Sequence, residues 1–450
     1  MKDFTLAEIA KACNGEYVGD ESLKNTKITS VERDSRQVKN GSLFLAIKGE
    51  RVDGHDFIEK CFAQGAVCAL CEKAPENATK PCIVVPSTLD AVKKIGRAYR
   101  EKFEIPVIGI SGSVGKTSTK EMLYAVLSQK FKTHKTQGNL NNELGVPLTL
   151  LSMPEDTEAA VIEMGISDFG EMTRLSEMVQ PTICVLTIIG ECHLENLGDR
   201  DGVLKAKTEM FKNAHENADF ILNGDDDKLS TVKTVNGKKP VFFGLDAKND
   251  FYAKNIKNSG DGKVLATLCF DNNNIDVEIP AIGTYMVTNA LAAAAAGKLL
   301  GLTDEEIANG VASYKTVGSR ANVINTGKIK IIDDCYNANP TSVRASLDTL
   351  SNLDGRKVAI LGDMKELGSE ELKLHFDTGV YAKSKGIGTV ITVGELAKEL
   401  AKGADGKAFD TIEDAKPEIL KTIKSGDVVL VKASHSMQFE NIVEFLKQNF

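Results

Sequence analysis

The segment Gly109-Ile-Ser-Gly-Ser-Val-Gly-Lys-Thr-Ser118 carries the densest chemical signal in this 450-residue chain. An apolar run, Val107 to Ile110, enters a glycine loop that delivers Lys116 and Thr117 to a helical stretch read over Glu121 to Gln129. Glycines let backbone N–H groups approach phosphate oxygens, and the helix N-terminus adds a dipole favourable to anions. Lys116 is placed to reach β- and γ-phosphates, and the Thr117 hydroxyl to ligate Mg²⁺. The spacing is G-x-x-G-K-T; the longer G-x-x-x-x-G-K-[ST] form would need glycine where Ile110 stands. Strand, loop and helix in this order make Gly112, Ser113, Val114, Gly115, Lys116, Thr117 and Ser118 a nucleotide-phosphate cradle.

A phosphate loop serves switches, motors, kinases and ligases alike, so the reaction must be read elsewhere. Glu163 closes the apolar run Ala159 to Met164, where an acid holding Mg²⁺ belongs. His193, in Ile189-Gly-Glu-Cys-His-Leu-Glu195, is expected to end the next strand, and Lys207 lies in Leu204-Lys-Ala-Lys-Thr-Glu209. A loop His or a Lys taken alone is ordinarily just solvated, and Mg²⁺ prefers oxygen. Their succession after strand ends that face one phosphate site makes both candidate ligands. A nucleotide-dependent switch would use the phosphate loop but leaves the three residues behind it unexplained.

These side chains need strands to end beside one another. From Val107 onward, short apolar runs (Val107 to Ile110, Ala159 to Met164, Ile183 to Ile189, Phe220 to Asn223) alternate with helical periods. That rhythm predicts parallel βαβ units with the site at the strands' carboxyl ends. Residues 228–280 lose it and read as a β excursion with turns at Asn236-Gly237 and 272–274; a helix returns at Asn289 to Leu300. The rhythm restarts past Ser319, with strands expected at Lys330 to Ile332, Val358 to Leu361, Val390 to Val393 and Val428 to Val431. Before it, a strand-and-turn stretch (Ile28 to Ile47), a helix at Phe57 to Ala63, a strand at Cys82 to Val85 and a helix from Leu89 to Phe103 precede the boundary at Ile105-Pro106. Three domains are expected, 1–104, 105–316 and 317–450, in keeping with roughly 150 residues per domain.

Composition narrows the class. The net charge is −8 with no basic stripe, which argues against nucleic acid as a partner. No apolar run approaches the roughly 18 residues of a membrane span, and the N-terminus is acidic where a signal peptide would be basic, so a cytoplasmic protein is expected. Nine cysteines, an odd count, do not indicate a disulfide framework. Cys68-Ala-Leu-Cys71 is a C-x-x-C without a second close pair, and reads better as a buried strand than as a metal or redox site.

Other segments give the chain a family likeness. Asp34-Ser-Arg with Gly41-Ser-Leu-Phe-Leu-Ala-Ile-Lys-Gly-Glu-Arg-Val-Asp-Gly-His55, then Gly138-Asn-Leu-Asn-Asn-Glu-Leu-Gly-Val-Pro147, then Asp333-Asp-Cys-Tyr-Asn-Ala-Asn-Pro340 and Leu361-Gly-Asp-Met-Lys-Glu-Leu-Gly368 occur in order around the phosphate loop. In this combination the chain resembles the Mur ligases, ATP-dependent amide-forming enzymes of bacterial cell-wall synthesis. Within the family it is most similar to the branch joining D-alanyl-D-alanine to a UDP-linked muramoyl tripeptide. A sister ligase adding one amino acid, of Mur or folylpolyglutamate type, is the alternative, and the Asn139 to Pro147 and Tyr336 to Pro340 segments argue against it. The resemblance implies an α/β fold of three domains: an N-terminal UDP-binding α/β domain, a central P-loop-type parallel sheet, and a C-terminal Rossmann-like domain that closes on ATP and binds the dipeptide.

It also implies site roles. Lys116 would contact the γ-phosphate, Thr117 and Glu163 would hold one Mg²⁺ and His193 a second, and Lys207 aligns with a lysine that relatives carry as a carbamate. Carbamylation turns a cation into an oxygen-rich anion suited to Mg²⁺ and requires a neutral amine, hence a depressed pKa. Asn289, Arg320, Asp334 and Asn337 would complete the nucleotide site; Asn289 could equally cap its helix, and Asp334 is preferred to Asp333. Ser35, Arg36 and Asp53 would meet UDP, where Arg suits a diphosphate, unless Ser35 and Arg36 are turn residues. Asn139, Asn141 and Asn142 would meet the sugar–peptide. His435 stands where the family pattern leads one to expect an Arg-like residue facing the dipeptide. A monomer is expected, making precursors for cell shape and division through an acyl phosphate.

Overall fold

Four sheets carry the chain, and the computed structural model describes every residue except Glu50, Gly260, Asp261 and Asn272. Two expectations touch these positions: Glu50 of the Gly41–His55 segment and Asn272 of the 272–274 turn lie outside the described residues.

The first sheet joins β1 (Glu16–Val18), β2 (Ser30–Glu32), β3 (Ser42–Leu45), β4 (Cys68–Cys71) and β5 (Cys82–Val84) in the order β1-β5-β4-β3-β2, with β1 antiparallel. The C-x-x-C is β4 itself, all four residues buried. Burial pushes the Cys61 thiol up to about 11 and Cys68 well above its ordinary value, so these are packing thiols. The following helix, Thr88–Arg100, stops three residues before the expected Phe103. The buried Arg100 guanidinium turns back to the carbonyls of Phe103 and Val179, closing the end as a turn.

The second sheet contains β6 (Val107–Ser111), β7 (Thr133–Lys135), β8 (Ala159–Glu163), β9 (Ile183–Leu186), β10 (Asp219–Asn223) and β11 (Val241–Phe243). Its order is β11-β10-β9-β6-β8-β7 and every pair is parallel. Chain order reverses around β6, the place where open α/β sheets leave a crevice at their carboxyl ends. The register sets Glu163 against Ile110 and Leu186 against Ser111, so residues 53 to 75 positions apart arrive together. β9 ends at Leu186, short of the expected Ile189, because Thr187 to Ile189 turn back over the glycine loop. β11 corrects the reading of 228–280: its first part rejoins the parallel sheet, and only β12 (Tyr252–Ser259), β13 (Lys263–Phe270) and β14 (Asn273–Ile279) form the separate antiparallel meander. The turn at Asn236-Gly237 is present, both residues with positive φ.

The helix Tyr285–Leu299 buries Ala290 and Ala292 to Ala296 completely. Side chains this small let it lie close against the helix Lys116–Leu127 under the phosphate loop, both within one apolar core. The last sheet runs β15 (Asn322–Asn325), β16 (Lys330–Asp333), β20 (Asp427–Lys432), β17 (Arg356–Gly362), β18 (Thr389–Val393) and β19 (Lys407–Phe409). The four apolar strands are as expected; β15 and β19 are mostly exposed edge strands whose composition hides them. Among the described residues no helix is long and apolar enough to cross a membrane.

Candidate functional site

A cavity of about 1050 Å³ opens between the central sheet and the C-terminal sheet. The phosphate loop forms its floor. The helix begins at Lys116 itself, five residues earlier than expected, so its free N–H groups face the loop directly. Gly112 has φ +148, and a Cβ there would lie 1.9 Å from Thr187 Oγ1. Thr187 Oγ1 donates to the Val114 carbonyl at 2.6 Å, locking the loop's tip. Lys116 Nζ folds back to the Gly112 carbonyl at 2.7 Å. Burial lowers its pKa, and Arg320 of the C-terminal domain adds to the effect, which places two cations beside one site.

Thr117 Oγ1 donates to Glu163 at 2.9 Å, and Asn141 Nδ2 donates to the same carboxylate at 2.8 Å. A hydroxyl and a buried carboxylate side by side suit a small hard cation. Among the described residues no three His, Cys, Asp or Glu side chains group as a cage. Thr117 and Glu163 are oxygen donors of the kind Mg²⁺ takes, one or two carboxylates with water and phosphate oxygens filling its shell. Lys120 lies one turn beyond Thr117, fully buried, 3.2 Å from Glu121 and 3.6 Å from Glu163. Glu121 in turn pairs with Lys135. Sequence reading missed this buried alternation of charge, although the i, i+3 and i, i+4 spacing from Thr117 and Lys116 puts Lys120 on their face of the helix.

His193 corrects its expected place: it sits seven residues past β9, on a loop, with φ +52. It lines the cavity, and its Nδ1 lies 2.6 Å from Glu366 Oε2 of the C-terminal domain, off the hydrogen-bonding line. That contact holds the Glu366 carboxyl below its usual range. Lys207, in the helix Arg200–Thr208, is 1% exposed and stands behind the cavity wall rather than on it. Burial pulls its amine down to about 8, Lys116 pushes the same way, and Cys192 between them opposes.

Asn289 is the fifth residue of its helix and caps nothing; its Oδ1 accepts from Thr119 at 2.9 Å while the residue lines the cavity. Asp334 lines the cavity and Asp333 does not. Asp334 accepts from Ser346 Oγ at 2.6 Å, from the Ala321 N–H at 3.1 Å and from buried Lys432 at 2.7 Å. Arg320 stacks on Tyr336 at 3.8 Å, and His435 lies against the same ring at 5.7 Å. Asn337, Asn139 and Asn142 also line the cavity, the last accepting the Gly145 N–H through Oδ1 at 2.9 Å. Ser35, Arg36 and Asp53 are not brought to it: Arg36 pairs with its neighbour Asp34 on the N-terminal domain, and Asp53 holds His55. Tyr285 and Lys432, which sequence reading passed over, complete the wall, and burial pushes the Tyr285 phenol well up.

Three family models match in chain order: the Mur ligase family catalytic domain over 27–103, the Mur ligase middle domain over 110–297, and the Mur ligase glutamate ligase domain over 319–435. The UDP-N-acetylmuramoyl-tripeptide–D-alanyl-D-alanine ligase of Bacillus subtilis (strain 168) is 36% identical over 98% of both chains. A crystal structure of MurF from Acinetobacter baumannii superposes with TM-score 0.92 at 32% identity, covering 100% of this chain and 99% of that one. The MurF ligase of Thermotoga maritima, solved in complex with ADP, gives TM-score 0.84 at 30% identity over 93% and 97% of the two chains.

Proposed function

We propose, from the premise that this chain belongs to the Mur ligase family, that it is the ATP-dependent ligase joining D-alanyl-D-alanine to UDP-N-acetylmuramoyl-tripeptide in peptidoglycan precursor synthesis. The carrying observation is the convergence of Lys116, Thr117 and Glu163 from the central domain with Arg320 and Asp334 from the C-terminal domain on one cavity. Its volume, about 1050 Å³, lies at the top of the range of small-molecule sites.

The tripeptide carboxylate attacks the ATP γ-phosphorus in line, giving an acyl phosphate and ADP; the dipeptide amine then attacks the acyl carbon and phosphate leaves. Two anions must meet in the first step. Lys116, the loop N–H groups and Arg320 gather positive charge where that charge develops. Thr117 and Glu163 would hold Mg²⁺, His193 a second ion, with Lys207 as a carbamate joining them. When bound, Mg²⁺ supplies charge neutralisation on the phosphates. The amine of Lys207 at about 8 leaves a usable neutral fraction for carbamylation near neutral pH. Asn139, Asn141 and Asn142 present amides to the muramoyl peptide, and Ser35, Arg36 and Asp53 hold the UDP end, out along the N-terminal domain. The three domains divide at 104 and 316, and the third closes over the acyl phosphate to keep water out. The enzyme works as a cytoplasmic monomer, where ATP and UDP-linked precursors are found.

Phosphate release with ATP and Mg²⁺ tests the assignment. Release should need both the tripeptide nucleotide and D-alanyl-D-alanine; release with a single amino acid would move the chain to a sister ligase, and release indifferent to acceptor would end the ligase reading.

A further inference from the structure

The loop that carries His193 is gripped by the C-terminal domain at every second residue. Thr341 Oγ1 donates to Glu191 Oε2 at 2.6 Å. Glu366 Oε2 meets His193 Nδ1 at 2.6 Å. The main chain of Glu195 lies 3.3 Å from where a Cβ on Gly368 would be, and Gly190 has no room for a Cβ beside Thr341. Residues 190–195 thus report the position of the other domain.

His193 and Glu366 both hold left-handed backbone, φ +52 and +65. Neither is glycine, so surrounding structure keeps each in place, as happens at functional sites. A metal-ligating His ordinarily gives its second ring nitrogen to a carboxylate, which fixes the tautomer and ring plane and leaves the first nitrogen's lone pair to the metal. Here the carboxylate comes from a different domain, 2.6 Å from Nδ1 but off the hydrogen-bonding line, so a small further movement of that domain completes the bond. We infer that Glu366 is the positioning residue for His193, so that His193 is a competent metal ligand only when the C-terminal domain is docked. The inference rests on the metal role proposed above for His193. It links ion capture to closure by one contact. The Glu366 side chain is 58% exposed, so the pair adds little to stability and can open and close with each turnover.

The test uses the full-length enzyme with Mn²⁺ as the ion and ADP as the nucleotide, free Mn²⁺ being read by electron paramagnetic resonance. Glu366→Ala should weaken ADP-dependent binding at one Mn²⁺ site by about 10- to 100-fold. It should also raise the Mg²⁺ concentration for half-maximal turnover while leaving the KM for the tripeptide nucleotide unmoved. Glu366→Gln, which keeps an acceptor oxygen, should fall between Ala and wild type. Binding lost in His193→Ala but unchanged in Glu366→Ala would overturn the inference alone. Binding unchanged in His193→Ala would overturn the metal role of His193, and the inference with it.

Discussion

Lys207→Met should make the protein more stable while destroying its activity. Lys207 is 1% exposed; burial, with Lys116 beside it, holds the amine at about 8 instead of 10.5. A lysine whose pKa is depressed in the fold is penalised when protonated. The cost is complete below pH 8, where both states carry the proton, and fades as pH rises through 8 to 10.5, where only the unfolded chain still holds it. At 1.36 kcal/mol per pKa unit this comes to about 3 kcal/mol. Methionine keeps the length and flexibility and removes the charge. Urea unfolding in carbon-dioxide-free buffer should therefore show the variant ahead by about 3 kcal/mol at pH 7, the lead shrinking toward zero by pH 10.5. A carbamate would relieve the same penalty, so adding bicarbonate should raise wild-type stability and leave the variant unmoved. A variant less stable than wild type at pH 7, or a difference flat with pH, would mean that the buried amine carries no such penalty.

Three further changes follow from the same site. Lys120→Met should do the opposite, costing about 3–5 kcal/mol in urea unfolding, because Glu121 and Glu163 lose a buried partner; an unchanged midpoint would count against the buried charge network. Lys116→Ala should lower kcat by at least about 10²-fold while calorimetry finds the tripeptide nucleotide bound as before. Gly112→Ala, forced against Thr187 Oγ1 with φ +148, should weaken ATP binding by about tenfold or more, read with a fluorescent ATP analogue.

What could be read from the chain tracks what chemistry is local. The phosphate loop announced itself because its glycines, Lys116 and Thr117 are consecutive and flanked by a strand and a helix. Glu163 is legible as the one acid in the apolar run Ala159 to Met164, and the strand ends on it. Asn289 reads as a helix start because Thr288 and Asn289 are both cap-type residues in front of the alanine run; the structure begins the helix at Tyr285, after Thr284, whose side chain makes no cap bond. His193 was put too near its strand because Thr187 to Ile189 are apolar enough to pass for one, although they wrap the glycine loop. Lys120 and Lys432 escaped notice since a lysine's ordinary place is the surface; only tertiary contact with Glu163 or Asp334 makes either worth burying. Glu366 lay inside a quoted segment, yet its partner is 173 positions away across a domain seam. The edge strands β15 and β19 were invisible for want of apolar pattern.

The tripeptide carboxylate becomes an acyl phosphate over Lys116 before the dipeptide attacks. Tripeptide nucleotide labelled with ¹⁸O in its terminal carboxylate, turned over with ATP and D-alanyl-D-alanine, tests it by mass spectrometry of the released phosphate. Each phosphate should carry one ¹⁸O, with the other in the new amide. Unlabelled phosphate alongside amide product would contradict it.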